Sequence, residues 1–291
     1  MMKVSGFTFV RNAVQYDYPV VEAITSILPL CDEFIVAVGN STDSTRELIQ
    51  SIDSPKIKII DTIWDDSLRE GGQTFAIETN KAFEGISPDA DWAFYIQADE
   101  VVHEKYHDTI REAMNKYKDE RRVEGLLFNY IHFYGSYDYV GDAYRWYRRE
   151  VRVIKNDKSI ASYKDAQGFR KKPNIKINAK LIDAYIYHYG WVRDPRKMQG
   201  KRRSFNHFYF DDEWIEKNVG EAESFDYSEI DALRRFNGTH PKIMQPRIEA
   251  MNWKFDHDIS RNNLKPKDRL KRIIEKLTGW RMGEFRNYKI I

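Results

Sequence analysis

Residues 91–104 read D-W-A-F-Y-I-Q-A-D-E-V-V-H-E. The run from Trp92 to Ile96 is short, aromatic and apolar, the composition of a buried strand. It stops at Gln97-Ala98-Asp99-Glu100, so two carboxylates fall at the strand's carboxyl end. Open α/β sheets bind ligands at that edge. Neighbouring acids are costly to hold together unless a cation or a proton neutralises them. The stretch therefore predicts a metal site facing an anionic ligand.

Upstream, strand and helix signals alternate. Residues 4–10 and 33–38 are apolar strands, 56–60 is a third, and 92–96 is the fourth. Asp17 and Pro19 suit the opening of a helix through about residue 28. Ser44 and Glu47 have capping-box spacing for a helix over 44–52. Further helices are expected over 73–83 and 104–117. Alternation of this kind argues for βαβ units and a mainly parallel sheet.

Downstream the texture changes. Residues 125–134, 150–154 and 184–188 are strand-like, Asp194-Pro195 opens a helix, and the rest is helical and charged. The expected organisation is an α/β domain over 1–205 with a helical extension over 206–291.

The chain has 291 residues, 42% hydrophobic and 32% charged, which is a globular composition. No apolar run reaches the roughly 20 residues that span a bilayer. Cys31 is the only cysteine, so no intrachain disulfide forms and a reducing, cytoplasmic setting is expected. A net charge of +2 gives no nucleic-acid signature. It hides an asymmetry, because from Ser260 onward ten Lys and Arg face three acids. A basic end suggests an anionic partner surface.

Three motifs in order carry a family resemblance. Phe9-Val10-Arg11-Asn12 follows the first strand, Gly39-Asn40-Ser41-Thr42-Asp43-Ser44-Thr45 the second, and Gln97-Ala98-Asp99-Glu100 the fourth. Together they resemble family 2-type glycosyltransferases of the GT-A fold over about residues 4–188. The resemblance implies a Rossmann-type, mainly parallel sheet flanked by helices. It also implies sugar transfer from a nucleoside-diphosphate sugar to a saccharide or lipid-linked acceptor in surface glycan synthesis, with inversion at the anomeric carbon. Two departures stand out. The family's acid–Gly pair before Ser41 is Gly39-Asn40 here, and the first acid of its D-x-D motif is Gln97.

What the resemblance implies for residues follows. Asp99 is the expected ligand of Mn²⁺ or Mg²⁺, with Glu100 beside it and His188 as a further ligand. A divalent ion would stabilise the departing diphosphate. Nucleotide-sugar contacts are expected from Arg11, Asn12, Asn40, Asp43, Gln97 and Ala98. Arg69 and Gly72, in the glycine-containing loop before residue 73, are expected near the diphosphate, as are Arg193 or Lys197 after the histidine. An inverting transferase needs an acid that takes the acceptor's proton. Asp142, Glu150 and Asp165 are the candidates, and Asp165 is preferred. A non-catalytic sugar- or nucleotide-binding module and a nucleotidyltransferase are the alternatives.

Residues 267–277 read as an amphipathic helix, with Leu270, Ile273, Ile274 and Leu277 at helical spacing between basic residues and Trp280 following. One reading is peripheral docking on anionic lipid through 265–281. The other is a helix packed on the domain with a solvated basic face.

Overall fold

The computed structural model describes residues 2–260 and 262–291. The first half runs β1 (Val4–Val10), α1 (Val20–Ile27), β2 (Glu33–Val38), α2 (Thr45–Gln50), β3 (Ile57–Asp61), α3 (Gln73–Glu84), β4 (Trp92–Tyr95), β5 (Glu100–Val102) and α4 (His107–Tyr117). Then come β6 (Gly125–Tyr134), β7 (Ser136–Gly141), β8 (Arg149–Lys155), β9 (Ile160–Tyr163), β10 (Gly168–Lys171) and β11 (Ile175–Trp191). The remainder holds α5 (Pro195–His207), α6 (Asp212–Asn218), β12 (Leu233–Arg235), α7 (Gln245–Glu249), α8 (Pro266–Thr278) and β13 (Tyr288–Ile290).

Among the described residues thirteen strands join one sheet, whose main path is β3-β2-β1-β4-β8-β6-β11-β10-β9. The β3-β2-β1-β4 portion is parallel. It is a Rossmann-type half with helices on both faces, the GT-A-like arrangement expected. Strand direction first reverses where β8 pairs antiparallel with β4. Burial explains why β4 reads as a continuous apolar run. Trp92 and Phe94 pack with Ile24 and Ile27 of α1 and Met114 of α4. Ala93 and Tyr95 pack on the opposite face with Phe7, Phe75 and Phe83.

Several local expectations change. Ser44 heads α2, but its side chain makes no cap bond. Asp43 takes that role, its Oδ1 accepting the Thr45 amide at 3.0 Å. Asp17 does not cap α1, which starts after Pro19. Asp17 instead adopts a φ of 51° and accepts from Arg247 at 2.6 Å. The strand expected over 184–188 is a 17-residue strand, β11. The extension is not purely helical, because β12 pairs with β7 and β13 with β11. The expected boundary after residue 205 falls inside α5.

Candidate active site

Strand pairing assembles the centre. β5 runs antiparallel to β11 with Glu100 opposite His188, and β6 runs parallel to β11 with His132 opposite His188. The Tyr189 amide donates to the Asp99 carbonyl at 2.8 Å. The end of β4 is thus clamped to a histidine nearly ninety residues further on. The β6–β11 register shifts between His188 and Trp191, an irregularity of the kind that re-aims side chains beside active sites. Gly190 lies in that shift. A Cβ there would stand 2.5 Å from His188 Cε1 and 3.0 Å from Asp99 Oδ2, so glycine permits the close approach.

Asp99 Oδ2 accepts from Lys201 Nζ at 2.9 Å, and the same ammonium donates to the Gly190 carbonyl at 2.9 Å. Asp99 Oδ1 lies 3.7 Å from His188 Nε2. Burial opposes ionisation of Asp99, but nearby positive charge, Lys201 first, outweighs it and holds the carboxyl below the usual range. Burial, reinforced by Arg193, pushes the Lys201 ammonium down to about 8 against the pull of Asp99. His132 Nε2 sits 2.8 Å from the Tyr147 carbonyl and its Nδ1 3.1 Å from His188 Nδ1. Burial lowers both histidines, His132 the more strongly. With both neutral, the network assigns His132 Nε2–H to the carbonyl and His188 Nδ1–H to His132. His188 Nε2 is then a lone pair facing Asp99.

Asp99, His188 and Lys201 border a cavity of about 480 Å³ whose wall also includes Gln97, Ala98 and Asp165. A second cavity of about 550 Å³ adjoins it, sharing Arg11, Tyr18, Trp64, Phe75 and Phe205. Aromatic rings on a shared wall suit stacking on a base or a sugar. Helix α5 lies along both, fixed at its start by Asp194, which caps the Arg196 amide at 2.9 Å, and by Pro195.

The residues named from sequence separate into two groups. Arg11 lines both cavities, held by Asp66 at 2.5 and 3.1 Å and lying 5.5 Å from the Trp64 ring. Asn12 lines the second cavity while its Oδ1 accepts the Thr42 amide at 2.8 Å. Gly72, with φ of 68°, stands against Tyr209 and Asp165, where a Cβ would come within 2.9 Å of both. Gln97 reaches the Ala166 carbonyl at 3.2 Å, tying the end of β4 to the Asp165 loop.

The others are committed elsewhere. Asp43 spends both carboxylate oxygens on the Thr45 and Gln15 amides. Asn40 accepts the Trp64 amide at 3.1 Å, and the Trp64 indole lies against Gly39, where a Cβ would be 2.4 Å away. Neither Asn40 nor Asp43 borders the cavities. Arg69 pairs with Asp212 at 2.7 Å. Arg193 is fully buried behind the cleft, donating to the Tyr16 carbonyl at 3.0 Å. Of the three candidate bases, only Asp165 faces the cleft. Asp142 pairs with Arg272 at 2.6 Å, and Glu150 is 1% exposed.

The donor set does not fit a divalent ion. Glu100 is turned inward and bonded to Arg152 at 2.8 and 2.7 Å, to the Tyr130 hydroxyl at 2.8 Å and to the Gln97 amide at 3.1 Å. Gln97 replaces an acid, and the ammonium of Lys201 already stands on Asp99. Among the described residues, no group of three or more His, Cys, Asp and Glu side chains is arranged to hold a metal ion. Lys201 was not foreseen. It lies one helical turn beyond Lys197, which is exposed, and only the path of α5 shows which lysine enters the cleft.

No family model matches the chain, and no curated protein matches it in sequence. Solved structures with a related arrangement include residues 1–349 of TarS from S. aureus in complex with UDP. It is 13% identical over 75% of this chain and 70% of that one, with a TM-score of 0.41. The chain spans 39% of a longer TarS structure. Glucosyl-3-phosphoglycerate synthase from Mycobacterium tuberculosis, in complex with Mn²⁺, UDP and phosphoglyceric acid, is 15% identical. The match covers 45% of this chain and 43% of that one, with a TM-score of 0.31. The 4-diphosphocytidyl-2C-methyl-D-erythritol synthase of Anaerococcus prevotii is 11% identical over 53% of this chain and 72% of that one, with a TM-score of 0.35.

Proposed function

We propose that the chain is a glycosyltransferase that moves a sugar from a nucleoside-diphosphate donor to a hydroxyl acceptor. The observation that carries this reading is the convergence of Asp99, Asp165, His188 and Lys201 on one cavity, adjoining a second that Arg11, Asn12 and Trp64 border. The second cavity suits the nucleoside, with Phe205, exposed on the wall that both cavities share, available for stacking and Arg11 for phosphate. The first then receives the sugar. In the inverting course, Asp165 takes the proton from the acceptor hydroxyl as its oxygen bonds to the anomeric carbon. The bond from that carbon to the phosphate oxygen breaks, and its electron pair leaves with the diphosphate. Cations placed in advance at the developing charge lower that barrier.

A third cavity of about 680 Å³ supports a negatively charged, lipid-linked acceptor. It reaches Tyr147, which also borders the sugar cavity, and its wall carries Arg148, Arg272, Lys276 and Arg281. Helix α8 forms part of this wall. The helix buries none of its residues and leaves Leu270, Ile273 and Leu277 exposed. Such a helix suits contact with an anionic membrane face. Among the described residues no helix is long and apolar enough to cross a membrane.

Differential scanning fluorimetry with nucleoside diphosphates and their sugars tests the reading. One base should stabilise the fold, and the matching nucleotide-sugar should be slowly hydrolysed to free sugar. Stabilisation without turnover of any donor would favour a binding module, and no stabilisation at all would refute the nucleotide reading.

A further inference from the structure

We propose that Lys201 supplies from within the chain the positive charge that the family resemblance assigns to a divalent ion, so that diphosphate binding here needs no metal. The inference rests on the nucleotide-sugar reading above and deepens it.

The position is the one a metal would take. Asp99 is the acid that remains at the end of β4, and the ammonium contacts its Oδ2 at 2.9 Å. The Gly190 carbonyl, also at 2.9 Å, fixes a second hydrogen. An ammonium has three donors, so one is left for a ligand in the cavity that Lys201 borders. Behind it the Tyr18 ring lies 5.0 Å from Nζ, within cation–π range. The side chain is held in place, because Met198, three residues earlier on α5, is 1% exposed and anchors the helix.

The charge balance also favours an anion over a metal. Arg193 is fully buried, and its guanidinium lies 4.8 Å from the centroid of the same Tyr18 ring. Its Nε and Nη2 have no hydrogen-bond partner. A buried guanidinium with orphaned donors is costly unless something anionic is near. Asp99 and Asp165 are two charges against three, Lys201 and Arg202 on the wall and Arg193 buried behind it. The site is thus net positive before any ligand arrives. A divalent ion would have to enter against these cations and share a carboxylate already bonded to one. A diphosphate meets a free ammonium donor in a partly dehydrated cleft, where charge-assisted hydrogen bonds are strong.

The test uses the full chain and isothermal titration with UDP, GDP, CDP and ADP, each in EDTA and in Mn²⁺. The expected result is tight binding of one nucleotide in EDTA that Mn²⁺ leaves unchanged. Lys201→Met should weaken it by roughly 10–100-fold, the loss of one charged hydrogen bond, and Lys201→Arg should keep most of it. Lys201→Met leaves Asp99 buried without its main partner, so circular dichroism and the double variant Asp99→Asn/Lys201→Met check folding. The double variant removes both charges together and should still bind weakly. Binding that requires Mn²⁺ and survives in Lys201→Met overturns the inference while leaving the nucleotide reading intact. Wild-type affinity in the folded double variant in EDTA also overturns it. No binding of any of the four, with or without Mn²⁺, overturns the nucleotide reading and the inference with it.

Discussion

Glu100 and Arg152 form a two-point ion pair with no side-chain exposure, directly behind Asp99. Arg152 also donates to the Gln167 carbonyl at 2.9 Å, so the pair joins the end of β4 to the strand and loop that carry Asp165. A buried pair adds little net stability relative to apolar groups of the same shape, but breaking one is costly. Arg152→Met should therefore destabilise the fold by about 3–5 kcal/mol, because Glu100 is left charged in the interior. Urea unfolding measures this. Wild-type stability in Arg152→Met would show that the pair does not hold the site together.

Glu150 faces the same arginine, and one cation cannot serve two buried carboxylates. Glu100 holds both hydrogen bonds, while burial pushes the Glu150 carboxyl up to about 8, against the attraction of Arg152. Its Oε1 accepts from Gln167 at 3.0 Å and its Oε2 has no partner. The folded state therefore keeps a proton that the unfolded chain releases near pH 4.5. Wherever the folded state binds more protons, stability falls as pH rises, here between about 4.5 and 8. Glu150→Gln keeps the acceptor without the charge. It should flatten that decline and raise stability at pH 8 by on the order of 3–5 kcal/mol. Thermal melts across pH 4–9 check the slope, and parallel curves for the two proteins would rule out a proton on Glu150.

The two carboxylates at the end of β4 show how much of the site was legible in sequence. Their location at the sheet's carboxyl edge followed from the apolar run of β4 and the polar turn after it. Their division of labour did not. Glu100 opens β5, only three residues long, too short to leave a periodic signal. Glu100 enters that strand and is turned inward onto Arg152, while Asp99, in the turn just before it, faces the cleft. Strands β1, β2 and β6 kept their expected bounds, because their apolar runs end sharply in polar or glycine positions. Lys201 escaped notice since its partner is 102 residues away. Asp142, Glu150 and Asp165 looked alike because exposure, which separates them, is set by tertiary packing.

Asp165 should carry the proton transfer. It borders the 480 Å³ cavity and its Oδ2 accepts from the Tyr209 hydroxyl at 3.3 Å. Asp165→Asn should lower kcat for transfer by roughly 10²–10⁴, the usual contribution of a general base, with little change in nucleoside diphosphate affinity. Asp142→Asn, whose carboxylate pairs with Arg272 in the wall of the third cavity, is the comparison, and should act on acceptor KM rather than on kcat. Nucleotide release from the donor, followed with a coupled assay, gives kcat. Equal loss in both variants, or none in Asp165→Asn, would assign the base to another group, with His188 Nε2 next in position.

Helix α8 presents an apolar row in the open. Leu270 is 60% exposed, Leu277 79%, and Trp280 56%. The helix is nevertheless tethered, since Arg148 holds Glu275 at 3.0 Å and Arg272 holds Asp142 at 2.6 Å. An exposed row on a tethered helix has no role in the fold, so changing it should leave unfolding curves unaltered. Each basic residue near an anionic leaflet adds about 1 kcal/mol of attraction, screened within a Debye length. The full chain should therefore float with phosphatidylglycerol vesicles at low salt and not with neutral ones. Leu270→Ser/Leu277→Ser should lose most of this binding, and high salt should weaken it in the wild type. Equal flotation of both proteins, or none with anionic vesicles, would remove the membrane from the account and leave the basic cavity beside α8 to a water-soluble acceptor.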